Sequence, residues 1–391
     1  MGNSCLLRAS YTEFTMQIHK NAFANSIPID GVLELTQRCN LACGHCYCVA
    51  DHTRPEMGFE QICSLLDELS DAGCLWLLLS GGEPLLREDF KDIYLYAKKK
   101  GFIISVFTNA TLITDDIIDF FKQYAPFVVE VSLYGSTQKT YAKVTGVPNS
   151  FRSCMDGISM LVKAGVSLKL KTTLTKDNVH ELKQMEKIAA DLGVEFRFDA
   201  MLHPKLDRNK SSQKVRLSAS DVVDLDEEDA QRKKEWEKVW QTLGPSQKQD
   251  KLFNCGAGVS SFHIDPYGML RACDMVRVPA YKLCGPQRMS FQQAWPGLAQ
   301  LKFERSGALN KCNECRLANI CEQCPGWAYL EHGNYESKVD YLCEIAKIRA
   351  ERMGIEKEKA GGVENEQEKE LSKAGDKKGG LNPGGSGFRF L

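Results

Sequence analysis

The segment LELTQRCNLACGHCYC, residues 33–48, decides how this chain is read. Its first residues finish a strand, GVLELTQ at 31–37, which is β-branched and apolar in its first half. Directly behind it come Cys39, Cys43 and Cys46, separated by three and then two residues. Three thiolates within eight residues can hold one soft metal centre. A four-iron cluster has four iron corners, so three cysteines leave one iron open to a small molecule. The close spacing lets a single loop wrap such a cluster.

Strands and helices alternate outward from this loop. Phe59, Ile62, Leu65, Leu66 and Leu69 fall at helical spacing within 57–72. LWLLLS at 75–80 reads as a buried strand and runs into Gly81 and Gly82. A helix from about 88 leads to the strand FIISVF at 102–107. Thr114 can cap the next helix, with Asp115 and Asp116 at its positive end. FVVEVSL at 127–133, a helix at 151–164, a strand at 167–173, a helix at 178–192 and a strand at 195–200 continue the order. Six apolar strands with helices between them predict an α/β fold, a partial (β/α)6 TIM-like barrel over 29–204. Residues 1–28 read as a lead-in with little pattern, and 205–252 as a charged helical linker. Within the linker, KLDRNKSSQK is an expected exposed loop. DLDEEDAQRKKEWEKVW is an expected solvated helix with Trp236, Val239 and Trp240 turned inward. Residues 253–349 read as a small cysteine-rich α+β domain. Residues 350–391 read as the end of a helix and a disordered tail rich in Glu, Lys and Gly.

Composition narrows the function. With 43% hydrophobic residues among 391, a sizeable core is available. A net charge of −1 argues against a general nucleic-acid binder. No apolar run suits a bilayer span, so no membrane partner is expected. Sixteen cysteines without a secretory signal point to metal or cluster ligation rather than disulfides, and to a cytoplasmic, reducing location. Cys63, beside an apolar helical face, and Cys74, before a buried strand, read as packing residues.

The cysteine spacing after the first strand resembles the radical S-adenosylmethionine (SAM) enzymes. Two later motifs carry the same resemblance: SGGEPLL, with Gly81, Gly82, Glu83 and Pro84 after the second strand, and FTNAT, with Asn109 after the third. The resemblance implies that Cys39, Cys43 and Cys46 hold a [4Fe-4S] cluster whose open iron is chelated by S-adenosylmethionine. His45 would stand near the adenine. The turn at Gly81–Pro84 would bind the methionyl amino group, with Glu83 as a hydrogen-bond acceptor. Asn109 would contact the ribose, and Ser132 and Lys171 the ribose or carboxylate side. Reduction of the cluster would give a 5′-deoxyadenosyl radical. All these residues fall at strand C-terminal ends, where barrel enzymes place their chemistry.

In the C-terminal region, twelve residues separate Cys255 from Gly268, and four more separate Gly268 from Cys273. Then come Cys312, Cys315, Cys321 and Cys324, spaced by two, five and two residues, and finally Cys343. This resembles the SPASM domain, which houses up to two auxiliary [4Fe-4S] clusters. The resemblance implies Cys255, Cys273 and Cys324 at one cluster and Cys312, Cys315, Cys321 and Cys343 at the other. Two departures stand out. Two residues, rather than three, precede the last cysteine of the tight group. The first set also lacks a fourth ligand, which leaves either Cys284 or a site open to substrate. On spacing alone, Cys312, Cys315, Cys321 and Cys324 also suit a structural zinc ion.

Together the resemblances span roughly residues 31–349. They imply hydrogen abstraction from a peptide or protein, for crosslinking, excision or oxidation. Haem-precursor modification is the rival enzyme reading, and a non-catalytic iron-sulfur electron-transfer protein the rival of another class. The N-terminal segment is too short for a leader-binding domain, so the expectation is either a separate leader-binding protein or a substrate that bears no leader. A reducing donor such as flavodoxin or ferredoxin is expected. Arg197 and Asp199 share one face of the sixth strand by its two-residue period. They, His203 and Tyr134 are the candidates to face substrate at the barrel mouth.

Overall fold

The apolar runs become the middle of a nine-stranded sheet of order β6-β5-β4-β3-β2-β1-β7-β8-β9. The computed structural model describes residues 11–49, 53–248, 250–307 and 311–355. The elements in order are α1 (Tyr11–Asn25), β1 (Asp30–Thr36), α2 (Phe59–Asp71), β2 (Trp76–Gly81), α3 (Phe90–Lys99), β3 (Ile103–Thr108), α4 (Asp115–Gln123), β4 (Val128–Ser132), α5 (Gln138–Thr145), α6 (Ser150–Lys163), β5 (Leu168–Thr173), α7 (Leu182–Asp191) and β6 (Glu195–Asp199). Then follow α8 (Ala219–Glu228), α9 (Ala230–Leu243), β7 (Ser261–Ile264), β8 (Met269–Arg271), β9 (Tyr281–Lys282), α10 (Phe291–Ala299), α11 (Pro325–His332) and α12 (Asp340–Arg352). β1 to β6 pair in parallel and in sequence order, the signature of βα repeats. Thr114 caps α4 by accepting the Ile117 N–H. Among the described residues, no helix is long and apolar enough to cross a membrane. The expected tail beyond 355 lies outside the described residues.

Ahead of residue 205, two helices went unread in the sequence. The lead-in forms α1, which buries Ala22 against Ile29 and Trp76 rather than presenting a broad apolar stripe. The segment after β4 forms α5, capped by Thr137 and closed by Gly146 in the left-handed region. The single helix expected near 224–240 is two, broken at Asp229, whose carboxylate caps α9 through the Gln231 and Arg232 N–H groups.

The protein divides into two compact units. The first comprises the described residues of 1–217, 251–305 and 324–337; the second, those of 218–250, 306–323 and 338–391. The cysteine-rich region therefore does not stand apart as one block. β7 pairs in parallel with β1, from Asp30↔Ser261 to Leu33↔Ile264, so residues 261–282 extend the barrel sheet. A Cβ at Gly31 would collide with the Phe262 ring, which itself packs on Phe291 and Trp295. In the second unit, Val239, Ile320 and Ala350 form a small core with Trp236 and Trp240 against it. Buried Arg349 is held there by Asp226 (2.8 Å) and the Ile320 carbonyl (2.7 Å), over the Trp236 ring.

The loop between β4 and α5 is organised by a residue from far along the sequence. Glu181 accepts hydrogen bonds from the Ser136 N–H (2.6 Å) and hydroxyl (2.9 Å), the Thr137 N–H (3.1 Å) and hydroxyl (2.6 Å), and the Thr140 hydroxyl (2.6 Å). Burial alone would raise its pKa; the hydroxyls of Thr137 and Thr140 and both Ser136 donors outweigh it and hold the carboxyl at about 2. A lowered pKa adds stability that is complete above the ordinary carboxyl value and is lost as pH falls from about 4.5 toward about 2. Glu181→Gln should therefore destabilise the cluster-free protein by about 2 kcal/mol at pH 7 in urea titrations. The deficit should shrink below pH of about 4.5; a deficit that stays constant down to pH 2 would contradict the assignment.

Candidate active site

The C-terminal end of β1 and the turn after β2 are joined backbone to backbone. The Gly82 N–H donates to the Thr36 carbonyl (2.8 Å) and the Glu83 N–H to the Arg38 carbonyl (2.9 Å). A Cβ at Gly81 would lie 2.2 Å from the Thr36 oxygen, and one at Gly82 2.4 Å from the Arg38 oxygen. Gly81 also has φ +141°, where L side chains are strained. Both glycines thus serve the approach of one loop to another. Arg87 ties the same corner from below, reaching the Leu35 carbonyl (2.9 Å), the Met57 carbonyl (3.0 Å) and Asp89.

Glu83 bridges two strand ends. Its fully buried carboxylate accepts from the Thr108 hydroxyl (2.8 Å), the Leu85 N–H (3.1 Å) and the Asn109 N–H (2.7 Å). Three of its roughly four lone-pair sites are taken, so it ties the β2 turn to the end of β3 and keeps about one site for a further donor. Burial raises its pKa to about 7 against the pull of those donors. Pro84 opens the short 3₁₀ turn Pro84–Leu86 that follows.

The cysteine loop lies beside this corner. The Asn109 amide donates to Asn40 (2.9 Å) and approaches the Cys39 sulfur at 3.9 Å. Its oxygen accepts from the Thr111 N–H (2.9 Å) and hydroxyl (2.6 Å). Burial pushes the Cys43 thiol up to about 12, and the charges of Cys46 and Cys39 add to it. Burial also raises Cys39. Cys46 instead drops to about 7, because the Cys48 thiol hydrogen-bonds to it. His45 is buried, meets the Tyr134 ring edge-on at 4.7 Å, and is kept neutral by burial, with a pKa of about 4. Its Nδ1 is buried without a hydrogen-bond partner. Tyr134 lies within the field of all three thiols.

This set fits a [4Fe-4S] cluster and a cosubstrate beside it. Three soft donors sit in mutual electrostatic contact on one loop. A neutral aromatic ring with one unsatisfied buried nitrogen stands next to them. Among the described residues, no group of three or more His, Cys, Asp or Glu side chains is drawn together tightly enough for a single metal ion.

The remaining cysteines sort by neighbour. In the first unit, burial and the charge of Cys255 raise Cys324, and Cys273 feels both Cys324 and Cys255. In the second unit, Cys321 is raised to about 12 by burial and by Cys315, Cys343 and Cys312. Cys324, the fourth member of the set that spacing offered to zinc, keeps company with Cys255 and Cys273. The Cys284 thiol donates to the Tyr267 carbonyl at 3.2 Å. Cys63, Cys74 and Cys154 are buried free thiols.

Among the other expected residues, the Ser132 carbonyl accepts from the Tyr141 hydroxyl (3.4 Å). Asp199 accepts the Met201 N–H (3.0 Å) and is turned to its own loop. His203 bonds the Pro204 carbonyl, with its ring near Tyr47 and Trp327. Lys171 and Arg197 converge on Glu130, a residue the sequence reading passed over. The signal was available, since Glu130 is the one charge inside the apolar strand FVVEVSL.

A parallel half-barrel whose first strand runs into a three-cysteine loop, locked to a Gly-Gly-Glu-Pro turn, defines a class. Residues 33–190 match the family model of the radical SAM superfamily. The AdoMet-dependent heme synthase of Methanosarcina barkeri is 25% identical over 333 residues, covering 79% of this chain and 94% of that protein. Two further proteins of that description, at 32% identity, are matched over only 44% and 42% of their length. The mycofactocin maturase MftC of Mycobacterium tuberculosis is 26% identical over 326 residues, 79% of this chain and 77% of its own. Among solved structures, SuiB of Streptococcus suis bound to precursor peptide SuiA superposes with a TM-score of 0.65. It covers 88% of this chain and 83% of SuiB at 16% identity, a likeness of fold that includes the cysteine-rich region.

Gly82→Ala should push the β2 turn off the Arg38 carbonyl and loosen the cysteine loop. After anaerobic reconstitution the variant should carry fewer irons than the wild type, by up to about 4 per molecule. Equal iron content together with equal affinity for S-adenosylmethionine would show that the close approach is dispensable.

Proposed function

We propose that this protein is a radical SAM enzyme that abstracts hydrogen from a peptide or protein substrate, as a step in post-translational crosslinking, excision or oxidation. When bound, a [4Fe-4S] cluster on Cys39, Cys43 and Cys46 and the cosubstrate S-adenosylmethionine supply the 5′-deoxyadenosyl radical for that step. The observation that carries the substrate class is the fold: it follows a precursor-peptide-bound protein over 88% of this chain. The MftC likeness, across 79% of the sequence, supports the same class.

The residues divide the work. The Gly81–Pro84 turn, fixed by Glu83, offers backbone to the methionyl end of the cosubstrate. Neutral His45 and Tyr134 give an aromatic wall that excludes water, and His45 Nδ1 is free to meet an adenine edge. Asn109 and Ser132 would serve the ribose. Cys255, Cys273 and Cys324 would hold one auxiliary [4Fe-4S] cluster with its fourth position left to substrate or solvent. Cys312, Cys315, Cys321 and Cys343 would hold the second. A crosslink or desaturation removes two electrons; the abstracted hydrogen carries one, and an auxiliary cluster can accept the other. Flavodoxin or ferredoxin would supply the reducing electron, and a separate protein would present any leader peptide.

One observation favours a second reading. The heme synthase likeness runs through 94% of that protein, which makes a haem precursor the alternative substrate.

Anaerobic reconstitution should give about 12 irons per molecule, and dithionite should drive formation of 5′-deoxyadenosine. Cys43→Ala should abolish the product. About 4 irons, with zinc at the C-terminal cysteines, would remove the internal electron acceptors. Deoxyadenosine formation that rises with a haem precursor and not with peptides would select the second reading.

A further inference from the structure

The turn after β3 contains a strained residue that is not a glycine. Ala110 has φ +58°, in the left-handed region that alanine rarely adopts, and it is fully buried. Its surroundings hold it there. Glu83 accepts the Asn109 N–H (2.7 Å) and the Thr108 hydroxyl (2.8 Å), and that hydroxyl accepts the Ala110 N–H (3.0 Å). Gly157 of α6 sits against the Ala110 carbonyl, where a Cβ would run into the oxygen. Strain that is imposed from several directions marks a place where exact geometry matters.

The turn closes a ring of three side chains. Asn40 Nδ2 donates to the Thr111 hydroxyl (2.7 Å), that hydroxyl donates to Asn109 Oδ1 (2.6 Å), and Asn109 Nδ2 donates back to Asn40 Oδ1 (2.9 Å). The Thr111 N–H gives Asn109 Oδ1 a second bond (2.9 Å). The donors all run the same way round, so each bond polarises the next. This also fixes the Asn109 amide end for end, because a reversed amide would set its NH₂ against the Thr111 N–H. One hydrogen of Nδ2 goes to Asn40. The other is left for Cys39 Sγ, at 3.9 Å. The same sulfur accepts the Leu41 N–H at 3.4 Å.

We propose that Asn109 is a positioning residue for cluster reduction: its amide, aimed by Asn40 and Thr111, donates to the Cys39 sulfur and raises the reduction potential of the [4Fe-4S] cluster held there. Reduction adds one electron, and the extra negative charge spreads onto the sulfurs. A donor to sulfur therefore favours the reduced form. Formation of the radical waits on that electron, so the ring brings the cluster closer to the reach of its donor. The role rests on the cluster assignment proposed above for Cys39, Cys43 and Cys46. It is separate from any contact of Asn109 with the ribose.

The test is an EPR-monitored redox titration of the anaerobically reconstituted full-length protein without S-adenosylmethionine. The catalytic cluster is identified as the signal that changes when S-adenosylmethionine is added to a parallel sample. The signals that do not change serve as the internal reference. In Asn109→Leu the midpoint of the responsive signal should become more negative. About tenfold less of that cluster should be reduced at a given potential, a shift of about 59 mV for one electron. The reference signals should stay where they are. Asn109→Leu could fail to load its cluster, because it also leaves Asn40 and Thr111 without their partner. Thr111→Val covers that case: it keeps the amide but removes the hydroxyl that aims it, and should give a smaller shift of the same sign. Thr111→Ser keeps the hydroxyl and should retain the wild-type midpoint. An unmoved midpoint in cluster-loaded Asn109→Leu would overturn the proposal, and weaker S-adenosylmethionine binding in that variant would then leave Asn109 as a ribose contact alone. Equal midpoints in Thr111→Val and Thr111→Ser would overturn it too. So would a shift shared by the reference signals, which marks a general loosening of the fold. In each of these cases the cluster assignment stands. A wild type in which no signal responds to S-adenosylmethionine would refute that assignment, and this role with it.

Discussion

The site depends on two backbones coming closer than any side chain would allow. Gly81 and Gly82 bring the β2 turn against the carbonyls of Thr36 and Arg38, at the root of the cysteine loop. Glu83 then reaches across to Thr108 and Asn109, and Asn109 returns to Asn40 beside Cys39. Three successive strand ends are closed into one circuit of short hydrogen bonds around the place where a cluster and its ligand would sit. In such a circuit each buried polar group is satisfied only if the others hold their positions.

The sequence reading and the folded protein part company for identifiable reasons. β1 to β6 were legible because parallel strands covered on both faces are continuous apolar runs. The pairing of β7 with β1 was not, since strands of two to four residues carry too little pattern and their partner lies far away in sequence. α1 was missed because its burial falls on few positions, and the break at Asp229 because a charged run hides a capping residue. In the site, the cysteines and glycines were visible as spacing. The duties of Glu83, Glu130 and Glu181 were not, because a carboxylate's role is set by which donors the fold aims at it, and nothing local announces them.

The thiols show what the fold asks of its metal. Burial raises Cys39, Cys43, Cys255, Cys273, Cys321 and Cys324 above the ordinary range, so in the bare protein these groups stay protonated at neutral pH. Ligation requires the thiolate, which couples cluster binding to proton release and to the stability of the surrounding loops. Cys39, Cys43 and Cys46 share the first compact unit with Cys255, Cys273, Cys324 and the sheet extension β7–β9, whereas Cys312, Cys315, Cys321 and Cys343 lie in the second with the α8, α9 and α12 helices.

The central claim is that the loop of Cys39, Cys43 and Cys46 carries a cluster with one iron open to the cosubstrate. Mössbauer spectroscopy of the ⁵⁷Fe-reconstituted protein, with and without S-adenosylmethionine, tests it most directly. The account predicts that adding the cosubstrate shifts the signal of one iron, about one in twelve, and that the shift disappears in Cys43→Ala. Spectra of the fully loaded protein that are identical with and without S-adenosylmethionine would contradict it.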